Sequence, residues 1–197
     1  MFIYRFLNKT FFITLFISWL ITASVYTLYY PRMEMITTAA KMEKQNADYI
    51  NQLIHKRELS GLKDRMVVRP NNDTVYSSAW IDLTESGEPM VLTIPKVSGR
   101  YYSFQFLDMD TNVFEVLGSR TQQHGHVVIT SKDWKGNLPS NTQQLKLKQN
   151  SSWMIARYLV TGTEDLVNIY AIQAKIKLET LSEFTLQRKK LRTLNSL

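Results

Sequence analysis

Three groups of residues in this chain have the types and spacing from which chemistry could be built. The first is Arg69, Asn71, Asn72, Asp73 and Tyr76, in RPNNDTVY. Asx side chains after a proline cap backbone N–H groups in tight turns. The same residues, with Arg69, could instead form a polar rim around a ligand. The second group is Arg100 and Asp108, which bracket YYSFQFL. Arg100 could bind a ligand carboxylate, or pair beneath the surface with Asp73, Asp82 or Asp108. The third is Asp108-Met109-Asp110-Thr111-Asn112, which mimics the start of a calcium loop. Such a loop needs glycine at its sixth position and glutamate at its twelfth. Val113 and Ser119 stand there, so the reading fails.

His124 and His126 flank Gly125 without an identifiable third ligand, so no metal site is nominated. No cofactor is nominated either. The chain has no cysteine, which removes thiolate ligands and cysteine nucleophiles. It has no G-x-S-x-G, H-E-x-x-H, P-loop or G-x-G-x-x-G. Catalytic residues are therefore unassigned. A carboxylate pair for glycoside hydrolysis is neither nominated nor removed, because its members need not be close in sequence.

The elements that must position these residues are mainly β. Thr74–Leu83 alternates, with Val75, Ala79, Ile81 and Leu83 on one side and Tyr76, Ser78, Trp80 and Asp82 on the other. Met66–Arg69, Met90–Ile94, Tyr101–Leu107, Val113–Leu117, His126–Thr130, Gln143–Lys148 and Ser152–Thr161 are further candidate strands. Their number and spacing predict a mostly antiparallel sandwich or jelly-roll-like domain. A helix is expected over Glu34–Leu59, with His55 near its solvated end. A second is expected after Gly162, with Thr163 as N-cap and Leu166, Ile169, Tyr170, Gln173 and Ile176 on one face. Phe184–Leu197 is basic and loosely patterned.

Before this body lies Thr10–Tyr30, an uncharged run of 21 residues. As a helix it spans about 31 Å, the thickness of a bilayer core. Tyr26, Tyr29 and Tyr30 cluster where an interfacial belt would lie, and Pro31 is expected to stop the segment. An uncleaved signal-anchor is the leading reading; a signal peptide cleaved near Thr22-Ala23-Ser24 is its rival. The expected organisation is a cytoplasmic leader and transmembrane anchor over 1–31, then a β-rich domain over 32–197. A short basic leader (Arg5, Lys9) places the N-terminus in the cytoplasm and the body in the periplasm or outside the cell.

The net charge of +7 is concentrated at the ends. Without Arg5, Lys9, Arg188, Lys189, Lys190 and Arg192, 18 bases face 17 acids. A nucleic-acid binder would carry its excess on the folded body, so nucleic acid is not an expected partner.

The run RPNNDTVYSSAWIDL (69–83) is distinctive. With GRYYSFQFLD (99–108), TNVF (111–114), LGSRT (117–121), Trp153, ARYLV (156–160) and GTED (162–165), it resembles the domain of unknown function 1254 family over about residues 65–180. The stretch from Thr121 to Trp153 is short against the family pattern. The resemblance implies a β-rich domain and no established activity. It also implies that longer relatives carry a second β domain, of the domain of unknown function 1214 family, in the same chain. This chain ends about where that domain would start. Two function classes follow. One is a membrane-tethered ligand- or partner-binding module, paired with the bilayer through residues 10–30 and with a separately encoded second-domain protein or with itself. The alternative is a hydrolase acting on a small or carbohydrate-like substrate.

Overall fold

The computed structural model describes residues 2–60 and 71–194, with side chains from residue 8 onward. The candidate strand Met66–Arg69 lies outside the described residues.

A single helix, α1 (Phe2–Gln45), opens the chain. It is long and apolar enough to cross a membrane, and its apolar window is not buried against the rest of the protein. Pro31 does not end it, contrary to expectation. Proline removes one backbone hydrogen bond, and a helix tolerates this where neighbouring groups compensate. The helix instead stops at Gln45, well short of Leu59. Asn46 is the reason: its Oδ1 accepts the Asp48 N–H at 3.1 Å, an Asx turn that competes with the next helical bond. Asn51 then adopts a left-handed conformation (φ 57°). Its side chain pairs with the Asp82 backbone in both directions, at 2.8 and 2.9 Å.

Nine strands follow: β1 (Ile54–His55), β2 (Thr74–Asp82), β3 (Met90–Ile94), β4 (Tyr102–Leu107), β5 (Val113–Gly118), β6 (Gly125–Thr130), β7 (Thr142–Lys146), β8 (Ser151–Leu159) and β9 (Lys177–Thr180). A 3-10 turn (Thr163–Asp165) and α2 (Leu166–Gln173) separate β8 from β9, and α3 (Leu181–Leu194) follows β9. His55 therefore sits in an edge strand, not at a helix end. Thr163 is the first residue of the 3-10 turn and makes no capping bond; Gly162 precedes it.

The strands form two sheets. Sheet A has the order β1-β2-β8-β4-β5 and sheet B the order β7-β6-β3-β9. Only the β6–β7 pair is parallel. The expected mainly β fold with flanking helices is what forms. The inner faces supply the core, with Val75, Ala79, Ile81, Leu92, Phe104, Phe106, Ile129, Met154 and Tyr158 all buried. Ile169 of α2 closes one end. Burying side chains of this size contributes about 1.5–3 kcal/mol each before ordering costs are set against it.

The outer face of sheet A carries a second, smaller core. Trp80, Trp153 and Leu107 lie side by side across β2, β8 and β4. Met35 and Met42 of α1, with Ala39 beside them, pack onto this platform. The spacing i, i+4, i+7 is one face of a helix. This face, not the expected row through Ile36 and Glu43, is the buried one.

Candidate functional site

The residues nominated by sequence are dispersed. Arg69 lies outside the described residues. Asn71, Asn72 and Asp73 are exposed at the entry to β2. Asn71 Oδ1 accepts the Asp73 N–H at 3.4 Å, and the Asp73 carbonyl accepts the Val160 N–H at 2.7 Å. This is turn chemistry, with Asn71 rather than Asp73 supplying the side chain. Tyr76 lies on the outer face of sheet A, where the Arg157 guanidinium stands 5.0–6 Å class distance over its ring, at 5.9 Å. Arg157 also bonds to the Gln105 amide oxygen.

Arg100 and Asp108 stand at opposite ends of β4, about 26 Å apart along an extended chain. Arg100 does pair beneath the surface, but with none of the expected partners. Its two terminal nitrogens meet the two carboxylate oxygens of Asp165 at 2.5 and 2.6 Å, and it also donates to the Leu159 carbonyl. A bidentate fork of this kind fixes geometry as well as charge. Asp165 accepts further bonds from the Thr161 N–H, the Thr161 hydroxyl and Asn168 Nδ2. The Arg100 bond first, then those from Asn168 and Thr161, holds the Asp165 carboxyl well below the usual carboxylate range. Its side chain is only 7% exposed, screened by the guanidinium that lies against it rather than by depth in the core.

Asp108 is spent on its own turn. Its Oδ1 accepts the backbone N–H groups of Asp110 at 3.0 Å and Asn112 at 2.8 Å. Lys148 Nζ stands 3.6 Å from its other oxygen. The neighbouring Asp110 pairs with Arg32 of α1 at 2.7 Å. His124 is exposed, whereas His126 bonds to Thr93 Oγ1 at 3.0 Å and packs against Phe184 of α3. Among the described residues no group of three His, Asp or Glu side chains is placed to hold a metal ion.

One polar cluster was not nominated by sequence. His55 Nδ1 lies 2.7 Å from Ser77 Oγ, and Gln173 Nε2 donates to the same oxygen at 3.2 Å. Gln173 also reaches the carbonyls of Lys56 and Tyr76. Burial, and secondarily Arg57, pushes the His55 imidazole down toward its neutral form. Burial pushes the Tyr158 phenol up, and the nearby Ser77 hydroxyl offsets part of that without reaching hydrogen-bonding geometry. A serine held against a neutral imidazole is the beginning of a nucleophile–base pair. Here Ser77 is 1% exposed, and no described carboxylate bonds to His55. The cluster ties the edge strand β1 and helix α2 to β2. Its one sequence signal was Gln173, a polar residue within the apolar stripe of α2.

A cavity of about 30 Å³, lined by Tyr101, Tyr102, Val116, Gly118, Arg120 and Thr121, has room for little more than water. It contains none of the nominated residues. A side chain at Gly118 would strike the Tyr102 carbonyl, so glycine is what permits this close approach of β5 to β4.

The family model described as "Protein of unknown function (DUF1254)" matches residues 50–180, and the chain belongs to that family. No curated protein matches it. The fold is similar to the crystal structure of the VPA0106 protein from Vibrio parahaemolyticus, with a TM-score of 0.67 and 21% identity, over 81% of this chain and 37% of that one. An uncharacterized protein from Burkholderia cenocepacia gives a TM-score of 0.40 and 13% identity, over 81% of this chain and 42% of that one. The chain thus matches less than half the length of either solved relative.

Proposed function

We propose that this member of the DUF1254 family is a membrane-anchored, partner-binding module. In this reading α1 crosses the membrane once as an uncleaved anchor, with the N-terminus in the cytoplasm. The β domain then lies in the periplasm or outside the cell. The observation that carries it is how the nominated polar residues are used. Arg100 is taken up by Asp165 and Asp108 by its own turn. A catalytic site would hold such groups together in a concave pocket with a perturbed, accessible carboxylate. The hydrolase alternative therefore has less support, because the one serine–histidine contact is sealed inside the sandwich.

The partner that best fits is a separately encoded second β domain of the 1214 family. Two features support it. Solved chains of similar fold are more than twice as long as the part this chain matches. Helix α3 also leaves Leu186, Leu191 and Leu194 exposed on one broad side, beside the basic residues Arg188–Arg192. Exposed leucines grouped in this way favour a protein contact over bare solvent. Covalent crosslinking in the native membrane, followed by mass analysis, is the test. A crosslink from Lys189 or Lys190 to a second-domain protein is expected. Self-crosslinks alone would replace that partner with a second copy. An uncrosslinked monomer would remove the partner reading.

A further inference from the structure

The way α1 enters the domain leaves no linker between the apolar span and the fold. Arg32 is two residues past Tyr30, a rise of about 3 Å along the helix. It already pairs with Asp110, in the turn between β4 and β5. One turn further on, Met35 is buried, followed by Ala39 and Met42 on the platform of Trp80, Trp153 and Leu107. The platform is itself braced: Trp153 Nε1 donates to Ser78 Oγ at 2.6 Å, and Ser78 Oγ lies 3.8 Å from Met42 Sδ. The helix cannot swing on the sheet without emptying this second core.

The β4–β5 turn is joined to the loop between β7 and β8. Gln149 accepts the Met109 N–H at 2.8 Å and donates to Asp110 at 3.4 Å. Lys148 reaches Asp108 from the same loop. Asn150 accepts the Leu83 N–H, which brings the exit of β2 to this end as well. From this geometry we infer that the domain sits flush on the bilayer. Its β4–β5 turn and β7–β8 loop lie at the depth of the phospholipid headgroups, and the opposite end, with the β5–β6 turn, points into water. Charge does not drive the contact. Lys146 and Lys148 are offset by Glu85, Glu88, Asp108 and Asp110 at or near this end. The continuous helix imposes the contact, so it holds for zwitterionic as well as anionic headgroups.

This inference rests on α1 being a membrane span, and the test separates the two. The chain has no cysteine, so single cysteines can be placed freely. The full chain is reconstituted in phosphatidylcholine nanodiscs and spin-labelled at L20C, T111C, K148C or Q122C. Accessibility to oxygen and to a water-soluble nickel chelate is then read by electron paramagnetic resonance. The L20C label should show the oxygen-rich, nickel-poor signature of hydrocarbon. Labels at T111C and K148C should show headgroup depth, with several-fold lower nickel accessibility than Q122C. If L20C is as open to nickel as Q122C, the membrane span itself fails. If L20C lies in hydrocarbon but T111C and K148C match Q122C, the span stands and the flush seating is overturned.

Discussion

Each sheet of the sandwich turns one face to the shared core, and a helix covers part of each outer face. On sheet A the cover is the last third of α1, with two buried methionines set against two tryptophans and a leucine. On sheet B the cover is α3, held chiefly by Phe184 against Val91 and Val128, with Leu181 beside it. Both attachments have a polar supplement. Arg32 meets Asp110 across sheet A, and Arg188 donates to the Ser140 carbonyl across sheet B at 2.8 Å. The difference lies in buried apolar surface and in where the helix goes next. The α1 segment enters the domain and stays on it, whereas α3 is pinned near its first turns and carries exposed leucines beyond them. The first helix is part of the fold; the second is an attachment.

Trp80→Ala should have the largest effect, because it empties the floor beneath α1. A buried tryptophan truncation costs about 3–5 kcal/mol. A melt of the full chain in detergent should show it as a large drop in Tm. The second effect concerns the end of the sandwich away from the Arg32 contact. The Asp165 carboxyl is depressed in the folded state, so its contribution is present above the ordinary aspartate value of about 4 and is lost as pH falls below it. The wild type should lose stability on acidification through that window. Arg100→Met should lower stability at neutral pH and flatten this acid flank. An unchanged acid flank would mean that Asp165 draws nothing from Arg100.

Phe184→Ala should act locally. It should expose Arg188 and Lys189 to trypsin while the sandwich melts as before, since a weakly attached element opens on its own. Loss of the whole melt would make α3 as integral as α1. The smallest effect is expected from Arg32→Ala. This ion pair is solvent-accessible, with side chains 58% and 40% exposed, and exposed pairs contribute little. No measurable Tm change is expected, because the methionine–tryptophan contact carries the attachment.

The sequence made the sandwich readable because its strands alternate strongly: Val75 through Leu83 turn to the faces their pattern predicts. It hid the elements whose cause is tertiary. The α1 extension is marked by Met35, Ala39 and Met42, but the neighbouring Ile36, Ala40 and Glu43 blur the stripe. Only the two tryptophans of sheet A decide which face is buried. Asp165 reads as a charge at the start of a helix, and nothing local shows that Arg100, from the turn before β4, will reach it. Helix α3 did carry a local signal. Thr180 and Glu183 form a capping box, with Glu183 accepting the Thr180 N–H at 2.9 Å and Thr180 Oγ1 accepting the Glu183 N–H at 3.2 Å. The Glu183 carboxyl is held low by the same bonds. The basic run that follows masked the signal. The candidate site was least readable, because arginines, aspartates and asparagines that build turns and ion pairs are the same residue types that bind ligands.

Hydrogen exchange of the full chain in nanodiscs tests most directly whether the end of α1 belongs to the domain. The amides of Ile36–Met42 should open only with those of β2, at the same free energy and with the same loss on Trp80→Ala. Fast exchange of Ile36–Met42 while β2 and Thr10–Tyr30 both stay protected would contradict this, leaving α1 an anchor with a loose tether.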